Sequence, residues 1–119
     1  MRSREPSYAL VYAMLLPSLR EIAREHGYAL AVHGSMATDL DLIAVPWVEE
    51  ASDAEALMEA IREYFAGIFP EAVSTGHKIQ PNPDDRPHGR RGWSMHQPHA
   101  GGPYLDISVM PRVVGEADQ

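Results

Sequence analysis

Residues 28–45 read YALAVHGSMATDLDLIAV, and this stretch decides the fold. Tyr28 to His33 is a short apolar run between Gly27 and Gly34, which suits a buried strand. A second strand follows almost at once, from Asp39 to Val45. Its alternation puts Asp39, Asp41 and Ile43 on one face and Leu40, Leu42 and Ala44 on the other. Two closely connected strands, the second with one acidic and one apolar face, predict a sheet covered on one side and open on the other.

Outward from this core the chain reads as helix, two strands, helix, loop and hairpin. From about Ser7 to His26, Tyr8, Val11, Met14, Leu15, Leu19 and Ile22 recur near helical spacing, and Gly27 gives a stop signal. Pro17 either kinks this helix or starts a second piece; a kink is favoured. Ser52 and Glu55 have the spacing of a capping box, and Ala54, Leu57, Met58, Ile61, Tyr64 and Phe65 form the apolar stripe of a helix ending near Gly67. Asp53, Glu59, Arg62 and Glu63 fall on its solvated face. Prolines and glycines dominate from Pro70 to Gly92, a long loop with a short strand near Val73 to Ile79. Arg90 to His96 and Tyr104 to Met110 then form a hairpin across a Gln97 to Gly102 turn. The last residues, from Gly115, are expected to fray. The expected fold class is α+β: one two-layer domain over residues 1–119, a small mixed sheet of about four strands with two helices on one face.

Composition narrows the chemistry. At 119 residues, 45% apolar and 23% charged, the chain has the balance of one globular domain. No apolar run reaches the roughly 20 residues that span a bilayer, and no signal-peptide pattern is present, so no membrane contact and a cytoplasmic location are expected. With no cysteine, disulfides, zinc thiolates and cysteine nucleophiles are excluded. A formal net charge of −7 argues against general nucleic-acid binding. The imbalance is local, however. Seven acidic residues face only Arg62 between Glu49 and Glu71, while Lys78, Arg86, Arg90 and Arg91 cluster in the next segment.

The chemistry rests on three aspartates. In the last strand Tyr104, Asp106 and Ser108 share a face opposite Leu105, Ile107 and Val109. If that strand neighbours Asp39 to Val45, at about 4.8 Å, the carboxylates of Asp39, Asp41 and Asp106 converge. Such charges repel unless a cation joins them, and oxygen ligands without thiolates suit Mg²⁺ or Mn²⁺. Gly34 and Ser35 can turn backbone N–H groups toward a phosphate. His33 sits beside them, suited either to phosphate or metal contact or to a structural hydrogen bond. Lys78, Arg90 and Arg91 could clamp a triphosphate or simply be solvated. His77, His88, His96 and His99 match no standard zinc spacing. Trp47 and Trp93 could stack on a base, or pack at strand ends.

In this order His33-Gly34-Ser35, Asp39-Leu40-Asp41-Leu42 and a later strand with Asp106 resemble the polymerase-β-like nucleotidyltransferase superfamily. The run HGSMATDLDLIAVPW also looks like small nucleotidyltransferase-like proteins of phages and bacteria. The resemblance implies a nucleotidyltransferase-like fold and metal-dependent transfer of a nucleotidyl group from an NTP to a hydroxyl acceptor. It also implies that Asp39, Asp41 and Asp106 are catalytic and metal-binding, with Gly34 and Ser35 at the phosphates. One departure is plain: only Met36, Ala37 and Thr38 separate the Gly-Ser from Asp39, where the family usually has about one helical turn or more. The alternative is a catalytically degenerate member, a phage-type accessory factor whose acidic helix docks a basic protein partner. An exposed hairpin edge would also allow a homodimer.

Overall fold

The computed structural model describes residues 8–69, 73–74, 84–96 and 103–112. The elements run α1 (Ala9–Glu25), β1 (Tyr28–His33), β2 (Leu40–Pro46), α2 (Ala54–Ile68), β3 (Val73–Ser74), β4 (Asp84–Arg86), a 3₁₀ turn (Pro87–Gly89), β5 (Arg90–His96) and β6 (Tyr104–Val109). Five strands lie in the order β1-β2-β6-β5-β3, and the short β4 also pairs with β5. The sheet is therefore mixed α+β as expected, with more than the four strands the pattern suggested. β1 and β2 are antiparallel, β2 and β6 parallel, and β6 and β5 antiparallel.

Period-2 alternation gives the sheet one buried face. Leu40, Leu42 and Ala44 of β2, Leu105, Ile107 and Val109 of β6, and Trp93 and Met95 of β5 all point under the two helices. α2 contributes Ala54, Leu57, Met58, Ile61 and Phe65, matching the predicted stripe. Each such side chain removed from water contributes roughly 1.5–3 kcal/mol. α1 presents Tyr12, Leu15, Leu16, Leu19 and Ala23, whereas Met14, expected in its stripe, is exposed. α1 carries Pro17 within one helix rather than dividing there, with the ring on an exposed position.

Two details of the ends differ from expectation. The N-cap of α2 is Asp53, whose side chain accepts a hydrogen bond from Ala56 N at 2.9 Å. Ser52 instead uses its backbone, its carbonyl accepting from Tyr28 Oη, and Glu55 turns to Arg91. Helix α1 stops at Gly27, where φ is +87° and an added Cβ would lie 2.6 Å from Ala51 Cα, so only glycine fits. The hairpin β5–β6 lies inside the sheet, bounded by β2 on one side and by β3 and β4 on the other. It presents no free edge at those pairings; among the described residues β1 forms one edge of the sheet and the short β3 and β4 the other. The Gln97 to Gly102 turn, most of the Val73 to Ile79 strand and the tail from Gly115 lie outside the described residues. No described helix is long and apolar enough to cross a membrane.

Candidate functional site

The side of the sheet away from the helices carries the acidic residues. Register places His33 of β1 opposite Asp41 of β2, Asp41 beside Asp106 of β6, and Asp106 opposite Ser94 of β5. The parallel β2–β6 pairing thus brings together two aspartates 65 positions apart in the chain. Asp39 lies one residue before β2, level with Tyr104 at the start of β6. Tyr104 in turn stacks on His96, with ring centroids 5.5 Å apart and planes within 7°. One end of the open face therefore has an acidic row flanked by a flat aromatic pair.

The loop from Gly34 to Asp39 is held from below. Tyr12 of α1, fully buried, donates from Oη to the Thr38 carbonyl at 2.7 Å and accepts from Tyr104 N at 2.9 Å. This one hydroxyl ties the approach to β2 to the start of β6. Tyr8 N adds a bond to the Ala37 carbonyl at 2.7 Å. Within the loop Thr38 Oγ1 donates to Asp39 Oδ1 at 2.9 Å, and Ser35 Oγ accepts from Ala37 N at 3.2 Å. Gly34 has φ +84°, and a Cβ there would stand 2.9 Å from Asp41 Oδ2. The glycine thus lets the backbone turn directly against the carboxylate. Met36 also takes a left-handed φ of +64°, at a cost of about 1–2 kcal/mol for a non-glycine residue. No helix forms between Gly34 and Asp39, as the short spacing predicted.

Electrostatics single out Asp41. Burial raises its pKa, and the neighbouring charges of Asp39 and Asp106 raise it further; His33 and Arg86 act the other way without cancelling this. Asp106 has a partner of its own. Arg86 of β4 reaches across β5, placing Nη1 2.8 Å from Asp106 Oδ1 and donating from it to Ser108 Oγ at 2.9 Å. Its Nε donates to Asp84 Oδ1 at 2.8 Å. Burial works against the guanidinium, but the two carboxylates outweigh it and the pKa of Arg86 is raised, so the group stays charged.

Arg86 was not among the expected site residues. The sequence signal for it is Gly92, a glycine inside a strand, which marks a close approach. An added Cβ at Gly92 would fall 1.9 Å from Arg86 Cζ. The arginine lies in the space that a side chain at position 92 would fill.

The other expected basic residues are placed elsewhere. Arg91 points to the helix side, where it pairs with Glu55 at 2.8 Å and lies 5.1 Å from the Trp93 ring centroid. It cannot share the acidic face, because strand neighbours alternate. Arg90 is on the open side but four residues from Ser94, about 13 Å along the strand, and donates to the Pro87 carbonyl at 2.9 Å. Lys78, His77 and His99 lie outside the described residues. Trp93 is a core residue and Trp47 is exposed.

Among the described residues no three His, Asp or Glu side chains converge as ligands of one ion. The three-carboxylate centre is thus altered at Asp106, which faces Arg86. Asp39 and Asp41 remain as hard oxygen donors, and the pKa of Asp41 is raised, first by burial and then by the charges of Asp39 and Asp106. Their chemistry fits one hard divalent ion. Compared with protein-family models, curated proteins and solved structures, the chain matches none.

Proposed function

We propose that the chain is a nucleotidyltransferase-like protein that acts on an NTP and a hydroxyl acceptor at the acidic end of its open sheet face. The observation that carries this reading is the register of Asp41 with Asp106, beside the Gly34 turn and Asp39. Asp39 and Asp41 would hold Mg²⁺ or Mn²⁺, which supplies positive charge against a triphosphate. The backbone N–H groups at Gly34 and Ser35 would face the phosphates, from a turn that lies against Asp41, where a Cβ at position 34 would stand 2.9 Å from Oδ2. The His96–Tyr104 pair offers a flat surface for the base. Asp106, freed from Arg86, takes the proton of the acceptor hydroxyl as its oxygen bonds to the α-phosphorus and pyrophosphate leaves.

Mg²⁺ with an NTP is expected to raise the melting temperature, and Asp41→Asn to abolish the gain; absence of a shift with each of the four common NTPs overturns the reading. A second reading has its own observation: Arg86 on Asp106 is the arrangement of a fold kept without its chemistry. The chain would then work as an interaction protein, docking a basic partner on the acidic surface of α2. In that case partner binding survives Asp41→Asn and fails when Asp53, Glu59 and Glu63 are reversed to lysine.

A further inference from the structure

The two edges of the sheet are built differently. On one side β3 has two residues, and β4 is Asp84, Asp85 and Arg86 followed by Pro87, so shortness, charge and a proline all deter pairing. On the other side β1 runs six residues without a proline or an Asp, Glu, Lys or Arg, and among the described residues no strand lies beyond it. Its ladder shows which groups are open. Trp47 N donates to Gly27 O at 3.0 Å, and in an antiparallel ladder bonded pairs recur every second residue, so Ala29, Ala31 and His33 bond toward β2. The N–H and C=O groups of Tyr28, Leu30 and Val32 therefore point along the free edge. A cavity of about 280 Å³ follows that edge, lined by Arg20 and Arg24 of α1, by Tyr28, Ala29 and Leu30, and by Trp47. It takes in side chains from both faces of β1, the shape that receives an extended strand.

We propose that this edge binds a second copy of the chain, β1 against β1 and antiparallel, about a two-fold axis at Leu30, so that two sheets become one. The occupant is a second copy because β1 is its own complement. In that register Tyr28 meets Val32 of the second copy and Leu30 meets Leu30, extending the helix-covered face, while Ala29 meets Ala31 on the open face. Every one of these pairs is apolar, and no like charges are set opposite each other in the ladder. Arg20 and Arg24 stand in the wall of the groove, and Glu21 neutralises Arg24 at 2.6 Å. Gly27 meets His33 of the second copy. Trp47, 66% exposed, sits beside Gly27, and with no side chain there the indole lies across onto that imidazole. Each copy thus contributes a ring beside His33 of the other, the residue opposite Asp41. Six ladder residues and one tryptophan per copy make a small interface, below about 1,200 Å² in total, and a dimer that forms at micromolar concentration.

Sedimentation velocity of the full-length chain from about 1 μM to about 1 mM tests this, and a concentration-dependent shift to twice the monomer mass is expected. Ala31→Lys puts a charge on the exposed face of the edge without touching the core and should weaken the dimer about tenfold, with circular dichroism unchanged. Trp47→Ala should weaken it roughly threefold. The chain has no cysteine, so introduced cysteines report the register. Ala29 and Ala31 of the second copy form a non-bonded pair with Cα atoms about 4.5 Å apart, whereas two copies of Ala29, or of Ala31, stand about 8 Å apart, beyond the reach of a disulfide. A mixture of Ala29→Cys and Ala31→Cys is therefore expected to cross-link roughly fivefold faster under mild oxidation than either variant alone. A parent that stays monomeric to the top of the range overturns the proposal. So does a dimer that Ala31→Lys leaves equally tight, or a cysteine mixture that cross-links no faster than its components.

Discussion

Tyr12 is the residue on which the geometry of the acidic row most directly depends. Its hydroxyl is the shared partner of Thr38 O and Tyr104 N, one on the approach to β2 and the other at the start of β6. Tyr12→Phe keeps the ring in the core and leaves both backbone groups without their partner, a change worth about 1–3 kcal/mol. A drop of several degrees in melting temperature is expected, with weaker Mn²⁺ binding because Asp39 follows Thr38 directly; an unchanged melt would show that water replaces the hydroxyl without loss. Single residues were legible from the sequence to the extent that alternation governs them. The rule that put Asp39 and Asp41 on one face also separates Arg90 from Arg91, and the structure sends Arg91 to Glu55 on the opposite side. Arg86 was not legible that way. Its strand is three residues long, too short to show a period, and its reach depends on an absence, the missing side chain of Gly92.

At the scale of elements, α2 shows what pattern can and cannot settle. The apolar stripe fixed its buried face, because burial of Leu57, Met58, Ile61 and Phe65 outweighs any local preference. The cap was decided by smaller energies. Ser52 and Asp53 are both good capping residues, and with Ser52 drawn by its backbone to His26 and Tyr28, the next residue caps the helix. Asp53→Ala is expected to cost about 1 kcal/mol, whereas Ser52→Ala should change stability by less than about 0.5 kcal/mol. Urea unfolding of the two variants checks this, and a larger loss at Ser52 would restore the capping-box reading. Glu55, the other half of that supposed box, instead ties α2 to β5 through Arg91. β4 escaped detection for the reason that hid Arg86, since three residues carry no alternation, whereas β3 begins at Val73, where a short strand was expected.

For the molecule as a whole, the strand order was the least legible feature and the one that matters most. Nothing local in β2 or β6 says that they pair, or that they run parallel; their sequences show only that each has one apolar face, and the helices cover the two as one surface. The same arrangement concentrates acidic groups on the open face, and this has a consequence for stability. A carboxyl whose folded pKa is raised binds its proton more tightly in the folded than in the unfolded state. Asp41 is such a group, so between its ordinary value of 3.8 and its higher folded value stability falls as pH rises, and above that window the cost is fully present. Glu55, lowered by Arg91, has the opposite sign: its contribution is present above its ordinary 4.5 and fades as pH falls through the lower folded value. Without a divalent ion, Asp41→Asn should therefore melt higher than the parent at pH 7, and the difference should shrink toward pH 4 as the parent's Asp41 takes up its proton. Melting curves of both proteins in chelator across that range measure it. A variant less stable than the parent at pH 7 would mean that His33 and Arg86 already balance the row, leaving no charge for a bound cation to neutralise.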